Sequence, residues 1–338
     1  MRQILISFVI AGAGVAVFLA LGLPLPWLLG PMFGCLVAAL AGVDLRAQPL
    51  ISNLMRTVLG VAVGASITPA LFAVLPQLVP TLLMMPLLVV MIGGIGYPMF
   101  RRVFGFNHAT AYYSAMPGGL QDMLLFGEEA GGDVRALSLV HATRVLIIVT
   151  VLPFAFAYVM ELDLTGAPGA PIADVPVLEL VIMAAAGILG WRVAKAVGLF
   201  GAAILGPLFL TAGLSLADVI HNRPPAVAIQ AAQFFIGLTV GVKYSGITWR
   251  ELRIDVSAGV GFTVLILTLS LLMAEVVILA GFMPPTEAIL AFSPGGQAEM
   301  AILALVAGAD VGIVVGHHLV RLVFVITLAP VVERWLGR

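Results

Sequence analysis

The chain has 338 residues, 62% of them hydrophobic and 10% charged, whereas a soluble domain is roughly a quarter charged. A net charge of −1 without any basic run excludes a nucleic-acid footprint, which needs Lys and Arg clustered on one face. The single cysteine, Cys35, excludes an internal disulfide and a cysteine-built metal cage, and reads as a small apolar core residue.

A membrane-crossing helix needs about 20 apolar residues, and such stretches recur along this chain. They run over residues 3–21, 26–42, 51–74 and 78–100, then a segment at 106–130 interrupted by Pro-Gly-Gly, then 134–160. Residues 164–176, rich in Gly, Ala, Pro and Asp, read as a joint. The series resumes at 177–195, 199–216, 226–243, 255–281, a second interrupted segment at 285–307, and 311–333. Arg2 ahead of an apolar run from Ile4 to Leu21 resembles a secretory signal. The second half, however, opens with a matching span where no signal could sit, so the first span is expected to be retained. Trp27, Trp191, Trp249 and Trp335 fall at span ends, where an amphipathic ring sits best.

The two series are one unit written twice. A shift of 177 residues lays Pro117–Pro153 on Pro294–Pro330 without a gap, and twelve of the 37 positions are then identical. Apolar chance does not pair Asp133 with Asp310, His141 with His318 and Arg144 with Arg321. The same shift lays Gly60 on Gly237 and Gly64 on Gly241, and a shift of 176 lays Leu29-Gly30-Pro31 on Leu205-Gly206-Pro207.

Each interrupted segment leaves about a dozen residues on either side of its break, too few for an arm to cross, so it is either one kinked span or a re-entrant hairpin. Charge decides between them, because cytoplasmic loops collect Lys and Arg. If the segments do not cross, Arg2, Arg46, Arg101, Arg102, Arg135, Arg192, Lys195, Lys243, Arg250, Arg253, Arg334 and Arg338 all lie inside, and Arg223 alone lies in an outside loop. If they do cross, six of those twelve move outside. The first arrangement gives each half five spans, an odd number, and therefore inverts the halves. The expectation is an all-α polytopic membrane protein of two inverted repeats, residues 1–163 and 177–338, each with five transmembrane helices and one re-entrant hairpin. The joint then lies outside, in the periplasm, and both termini lie in the cytoplasm.

Irregular backbone at membrane depth is tolerated only where protein or a water-filled cavity covers it. Pro117, Gly118 and Gly119, with Pro294, Gly295 and Gly296, therefore mark the candidate site: a helix restarting after such a break offers free N–H groups to an anion. The alternative is a tight hairpin with no ligand. Just beyond the breaks come Gln121 and Asp122, and Gln297 and Glu299. A carboxylate at that depth pairs with a cation or takes up a proton. On the following helix of each half, Asp133, His141 and Arg144, or Asp310, His318 and Arg321, lie within about 80° of one another. Arg144 and Arg321 either neutralise Asp122 and Glu299 as structural ion pairs or hold an anionic substrate. Asp133 and Asp310 start their helices, so capping explains them. A second polar stripe joins Asn53 and Arg56 in one half with Gln230 and Gln233 in the other; Arg56 and the two glutamines are candidates to line the cavity. Glu275 lies where the other half has Pro98 and receives no role. The histidines lack ligand spacing for a metal, His317 and His318 pointing about 100° apart, and no phosphate loop or nucleophile elbow occurs.

Ala115-Met116-Pro117-Gly118-Gly119-Leu120-Gln121-Asp122-Met123 and Phe292-Ser293-Pro294-Gly295-Gly296-Gln297-Ala298-Glu299-Met300, with Gly30-Pro31, Gly206-Pro207, His141-x-x-Arg144 and His318-x-x-Arg321, resemble the bacterial AbrB-type membrane family over essentially the whole chain. That family is unrelated to the small soluble DNA-binding regulators of the same name. Its members carry labels of ammonia monooxygenase or of regulator of gene expression; the first would need a copper or iron ligand set absent here. The expected function is a secondary transporter of a small polar solute, an anion being one candidate, elevator-like by analogy and coupled to H⁺ or Na⁺. It is expected in the bacterial inner membrane, as a homodimer, without cofactor and without enzymatic activity. The competing reading is a membrane-embedded sensor or regulatory protein.

Overall fold

The structure is a computed structural model and describes residues 2–166, 169 and 171–336. Arg338 in the basic-residue count and positions 167, 168 and 170 of the joint lie outside the described residues. All regular structure among the described residues is helical: α1 Arg2–Ala20, α2 Pro26–Leu40, α3 Pro49–Gly64, α4 Pro69–Pro98, α5 His108–Ala115, α6 Leu120–Glu129, α7 Val134–Tyr158, α8 Val177–Ala196, α9 Ala202–Leu216, α10 Ala226–Val242, a single turn α11 Trp249–Glu251, α12 Ser257–Leu279, α13 Pro285–Phe292, α14 Gln297–Val306 and α15 Val311–Leu336.

Among the described residues, six stretches are long and apolar enough to cross a membrane: Arg2–Ala20, Ala73–Arg102, Val134–Tyr158, Val177–Ala196, Trp249–Leu279 and Val311–Leu336. The second and third segments of each half form apolar helices of 15, 16, 15 and 17 residues. At a rise of about 1.5 Å per residue these reach roughly 23–26 Å, short of a hydrocarbon core of about 30 Å.

Most segment boundaries fall within a few residues of expectation, and one moves further. The stretch 51–74 does not continue as one helix: α3 ends at Gly64, a turn follows, and α4 begins at Pro69. Proline has no N–H to lose at a helix start and disfavours helical backbone in the residue before it, so Thr68-Pro69 divides a run of uniform apolarity. The start of α9 shows a second local device. Gly201 precedes it in left-handed backbone at φ 58°, and the equivalent residue before α2 is Leu25, also left-handed at φ 46°. Such backbone strains a residue with a Cβ by roughly 1–2 kcal/mol. Leu25 is held there by burial and by its N–H, which donates to Leu164 O at 3.2 Å.

The helices sort into two compact units that cut across the two halves. Met1–Val74, Thr150–Gly246 and Ala298–Gly312 form one; Leu75–Val149, Ile247–Gln297 and Ile313–Arg338 form the other. The first unit thus gathers the opening three helices of both halves, with α2 packed on α1 and α10, and α9 packed on α8 and α3. These contacts are reciprocal. A Cβ on Gly60 in α3 would lie 2.3 Å from Ile204 O in α9, and one on Gly237 in α10 would lie 2.1 Å from Leu28 O in α2. Gly60 corresponds to Gly237 and Leu28 to Ile204, so each half presents to the other the surface it receives.

The second unit packs α5, α6, α12, α13 and most of α4, α7 and α15 around aromatic rings, whereas α14 from Ala298 onward, with Glu299, falls in the first unit. Phe100 lies against Phe106 and Phe262 with centroids 5.5 and 5.0 Å apart. α12 meets α7 at Gly259, where a Cβ would come within 2.8 Å of Thr143 Cβ. This core fixes α5, α7, α13 and α15, which carry the candidate site.

Gly60→Ala and Gly237→Ala are each expected to lower stability by about 1–3 kcal/mol through overpacking, measured by thermal unfolding in lipid nanodiscs. Gly12→Ala, whose Cβ meets nothing within 4 Å, is the control and should be neutral or stabilising.

Candidate functional site

Both interrupted segments form a helix, a break and a second helix. α5 runs to Ala115, the backbone turns extended at Met116 (φ −79°, ψ 126°), and Gly119 caps the start of α6. In the other half α13 runs to Phe292, Ser293 turns extended (φ −73°, ψ 121°), and α14 begins at Gln297. Helix ends leave carbonyls without partners, and an orphaned buried carbonyl costs about 1–3 kcal/mol.

The partners come from the next long helix. Arg144 on α7, 1% exposed, donates from Nη1 to Met116 O at 3.4 Å and from Nη2 to Gly118 O at 3.0 Å. Arg321 on α15, 2% exposed, donates to Ser293 O at 3.3 Å and Gly295 O at 3.4 Å. One turn earlier, His141 Nε2 lies 3.0 Å from Tyr113 O and His318 Nε2 lies 2.9 Å from Leu290 O. A carbonyl can only accept, so both histidines carry a proton on Nε2. Each contact in one half maps onto its equivalent in the other under the 177-residue shift. A planar guanidinium reaches the two oxygens from two nitrogens in a fixed fork, which a lysine does not supply, and its charge opposes the negative ends of α5 and α13.

The carboxylates stand at the third position of the restarting helices. Asp122, half-buried, folds back so that its Oδ2 lies 2.5 Å from where a Cβ on Gly119 would be. There it faces the positive end of α6. Glu299 is 6% exposed at the same position of α14. Pro117, Gly118, Pro294 and Gly295 are buried; Gly119, Gly296 and Gln297 are half-buried; Gln121 is exposed. The two restarting helices differ, since α6 buries Met123 and Gly127 alone whereas α14 is buried from Ala298 to Leu305.

Asp133 is a helix cap, its Oδ1 accepting from Arg135 N at 2.9 Å and Ala136 N at 3.1 Å. Arg56, Gln230 and Gln233 fall in the compact unit that lacks the two breaks. Two cavities of the break-bearing unit had no sequence forecast. One, about 290 Å³ and apolar, is lined by Tyr97, Tyr112, Met116, Phe324 and Leu328 among others. The second, about 480 Å³, is lined by Phe106, Asp133, Arg135, Arg250, Glu251 and Asp255 among others. In it Arg135 Nε donates to Glu251 Oε1 at 2.7 Å. The signal for the second lay in the failure of the repeat: Arg135 corresponds to Gly312, Glu251 to Val74 and Asp255 to Leu78.

Long apolar helices, a duplicated architecture and two arginine-held breaks define a polytopic helical membrane protein. The chain belongs to the AbrB family: the family described as "Transition state regulatory protein AbrB" matches residues 27–337, as the Pro-Gly-Gly motifs led one to expect. It is 26% identical to "Uncharacterized protein YhjN" of Bacillus subtilis (strain 168), covering 97% of this chain and 91% of that one. It is 23% identical to "Putative regulator AbrB" of Escherichia coli (strain K12), covering 95% and 92%. No solved structure matches the chain.

Arg144→Met, or Arg321→Met, strands two carbonyls and should cost on the order of 3 kcal/mol. Lysine at either position should recover only part of the loss, because it brings the charge without the fork. Chemical unfolding in nanodiscs reads both, and wild-type stability in Arg144→Met would contradict the assignment.

Proposed function

We propose that this protein is a secondary transporter of a small polar solute, anionic in the simplest case, coupled to H⁺ or Na⁺. The observation that carries the reading is the repetition of one costly device. In each half, a buried histidine and arginine one turn apart hold open a break in a helical hairpin. Broken helices whose restarting N-termini face the solute are the usual construction of carrier sites. Asp122 and Glu299, at those N-termini, are the candidates to couple an ion, and Gln121, Gln297 and the first-turn amides of α6 and α14 the candidates to contact the solute.

The topology in this proposal has five spans and one re-entrant hairpin per half, the halves inverted and both ends of the chain cytoplasmic. The distribution of Lys and Arg supports it, as does the reciprocal packing of α2 with α10 and α3 with α9. The four helices of 15–17 residues then cross where the bilayer thins or flanking side chains reach the surface. Transport would proceed by movement of the break-bearing unit, as in elevator carriers, in a homodimer of the inner membrane, with no enzymatic step and no cofactor. A sensor or regulatory protein is the second reading, favoured by the name of the Escherichia coli relative and the family description.

Flux separates the two. Proteoliposomes on a solid-supported membrane are exposed to succinate, glutamate, alanine and phosphate under imposed H⁺ or Na⁺ gradients. A carrier gives gradient-dependent current or uptake with at least one of them, abolished by Asp122→Asn or Glu299→Gln in protein that remains folded. Full flux in folded Asp122→Asn would make that carboxylate scaffolding. Binding of a solute without any flux would favour the sensor.

A further inference from the structure

His317 on α15 is fully buried, and neither the breaks nor their arginines use it. It stands where the duplication fails, its equivalent in the first half being Val140. Its Nδ1 lies 2.8 Å from Ile313 O, one turn back on the same helix. Its Nε2 lies 2.9 Å from Thr81 Oγ1 on α4, and that hydroxyl lies 2.8 Å from Leu78 O. The ring of Phe292 on α13 sits 5.8 Å away, tilted by 49°.

The Ile313 carbonyl can only accept, so Nδ1 carries a hydrogen in every state. With the ring neutral, Nε2 has a lone pair and accepts the Thr81 hydroxyl proton. With the ring protonated, Nε2–H donates to Thr81 Oγ1, and the hydroxyl proton turns to Leu78 O. Both states are fully hydrogen-bonded, and rotation of one hydroxyl converts them. His141 and His318 differ: each spends its Nε2 proton on a carbonyl, and Nδ1 has no partner among the described residues. A second proton there would find no acceptor and would sit one turn from an arginine.

The charged groups on the elements packed against His317 are few. From α4 it meets Thr81, and Pro69–Pro98 contains no Asp, Glu, Lys, Arg or His, Tyr97 being its one titratable side chain. From α13 it meets Phe292, whose face suits a cation; the one charged residue of that helix is Glu287, in its first turn. On α15 itself, His318 is adjacent and Arg321 one turn on, the latter's Nη atoms held at Ser293 O and Gly295 O.

We propose that His317, with Thr81, is a proton-binding site: Nε2 takes one H⁺ from the aqueous phase and returns it by the same hydroxyl rotation, with no other bond made or broken. This rests on the carrier reading for its purpose, naming the proton as the coupled ion, but the protonation itself is observable without transport. The full-length protein labelled with ¹⁵N-histidine in nanodiscs is titrated over about pH 5 to 8, the range in which imidazoles change charge. His317 is expected to pass from the Nδ1–H neutral form to the doubly protonated form, while His141 and His318 keep a single Nε2–H form. Resonances are assigned with His317→Gln and with His317→Val, the latter copying the first half so that one variant folds. Thr81→Val should shift the His317 midpoint. A His317 ring that stays neutral throughout overturns the proposal, as does one whose titration is indifferent to Thr81→Val. A titrating His317 in a protein that moves no solute would leave the proton site standing and overturn the carrier reading.

Discussion

Every buried backbone polar group must find a partner, and a helix that stops inside a protein leaves carbonyls that its own turns cannot satisfy. The break-bearing part of this molecule is organised around that requirement. Each hairpin stops at Pro-Gly-Gly, and each stop is answered by one guanidinium with two oxygens in reach. The arginine must therefore be buried, which calls for acceptors of fixed geometry, which in turn calls for α7 and α15 to run alongside α5 and α13. Burying a cation is expensive, so a break without arginine, or an arginine without a break, would each destabilise the protein. The two are maintained together, twice.

Duplication explains the economy of the design, and departures from it show where the halves have parted. Gly60 and Gly237 receive backbone oxygens from Ile204 and Leu28 in mirrored roles, so this interface is one solution used twice. Where the surroundings differ, side chains differ. Glu251 and Arg135 face a polar cavity whose counterpart positions are Val74 and Gly312. His317 and Thr81 correspond to Val140 and Ala258.

Much of this was legible in the sequence, and the remainder was hidden for identifiable reasons. Apolar run lengths and Pro-Gly-Gly gave the segments, and the 177-residue register paired His141 with His318 and Arg144 with Arg321 before any geometry was known. The partners of those arginines were not legible. Asp122 and Glu299 stood nearby as side-chain anions, whereas the oxygens of Met116, Gly118, Ser293 and Gly295 are backbone atoms that leave no mark on the sequence. The division of 51–74 escaped because residues on both sides of Thr68 are equally apolar and the glycines before it carry packing instead of a stop. The packing partners of the glycines that lock α3 to α9 and α10 to α2 were hidden too, because in the sequence these read only as small residues favouring close approach.

The central claim, that the two breaks line a water-filled path, is tested most directly by the reactivity of thiols placed beside them. In a Cys35→Ala background, Gln121→Cys and Gln297→Cys are exposed separately to a small membrane-impermeant thiol reagent, in intact cells and in inverted vesicles, with and without an imposed H⁺ gradient. Both positions are expected to react from the aqueous phase, with the reactive face changing as the gradient is reversed. If neither reacts from either face in folded protein, the breaks are sealed within the molecule and the path does not exist.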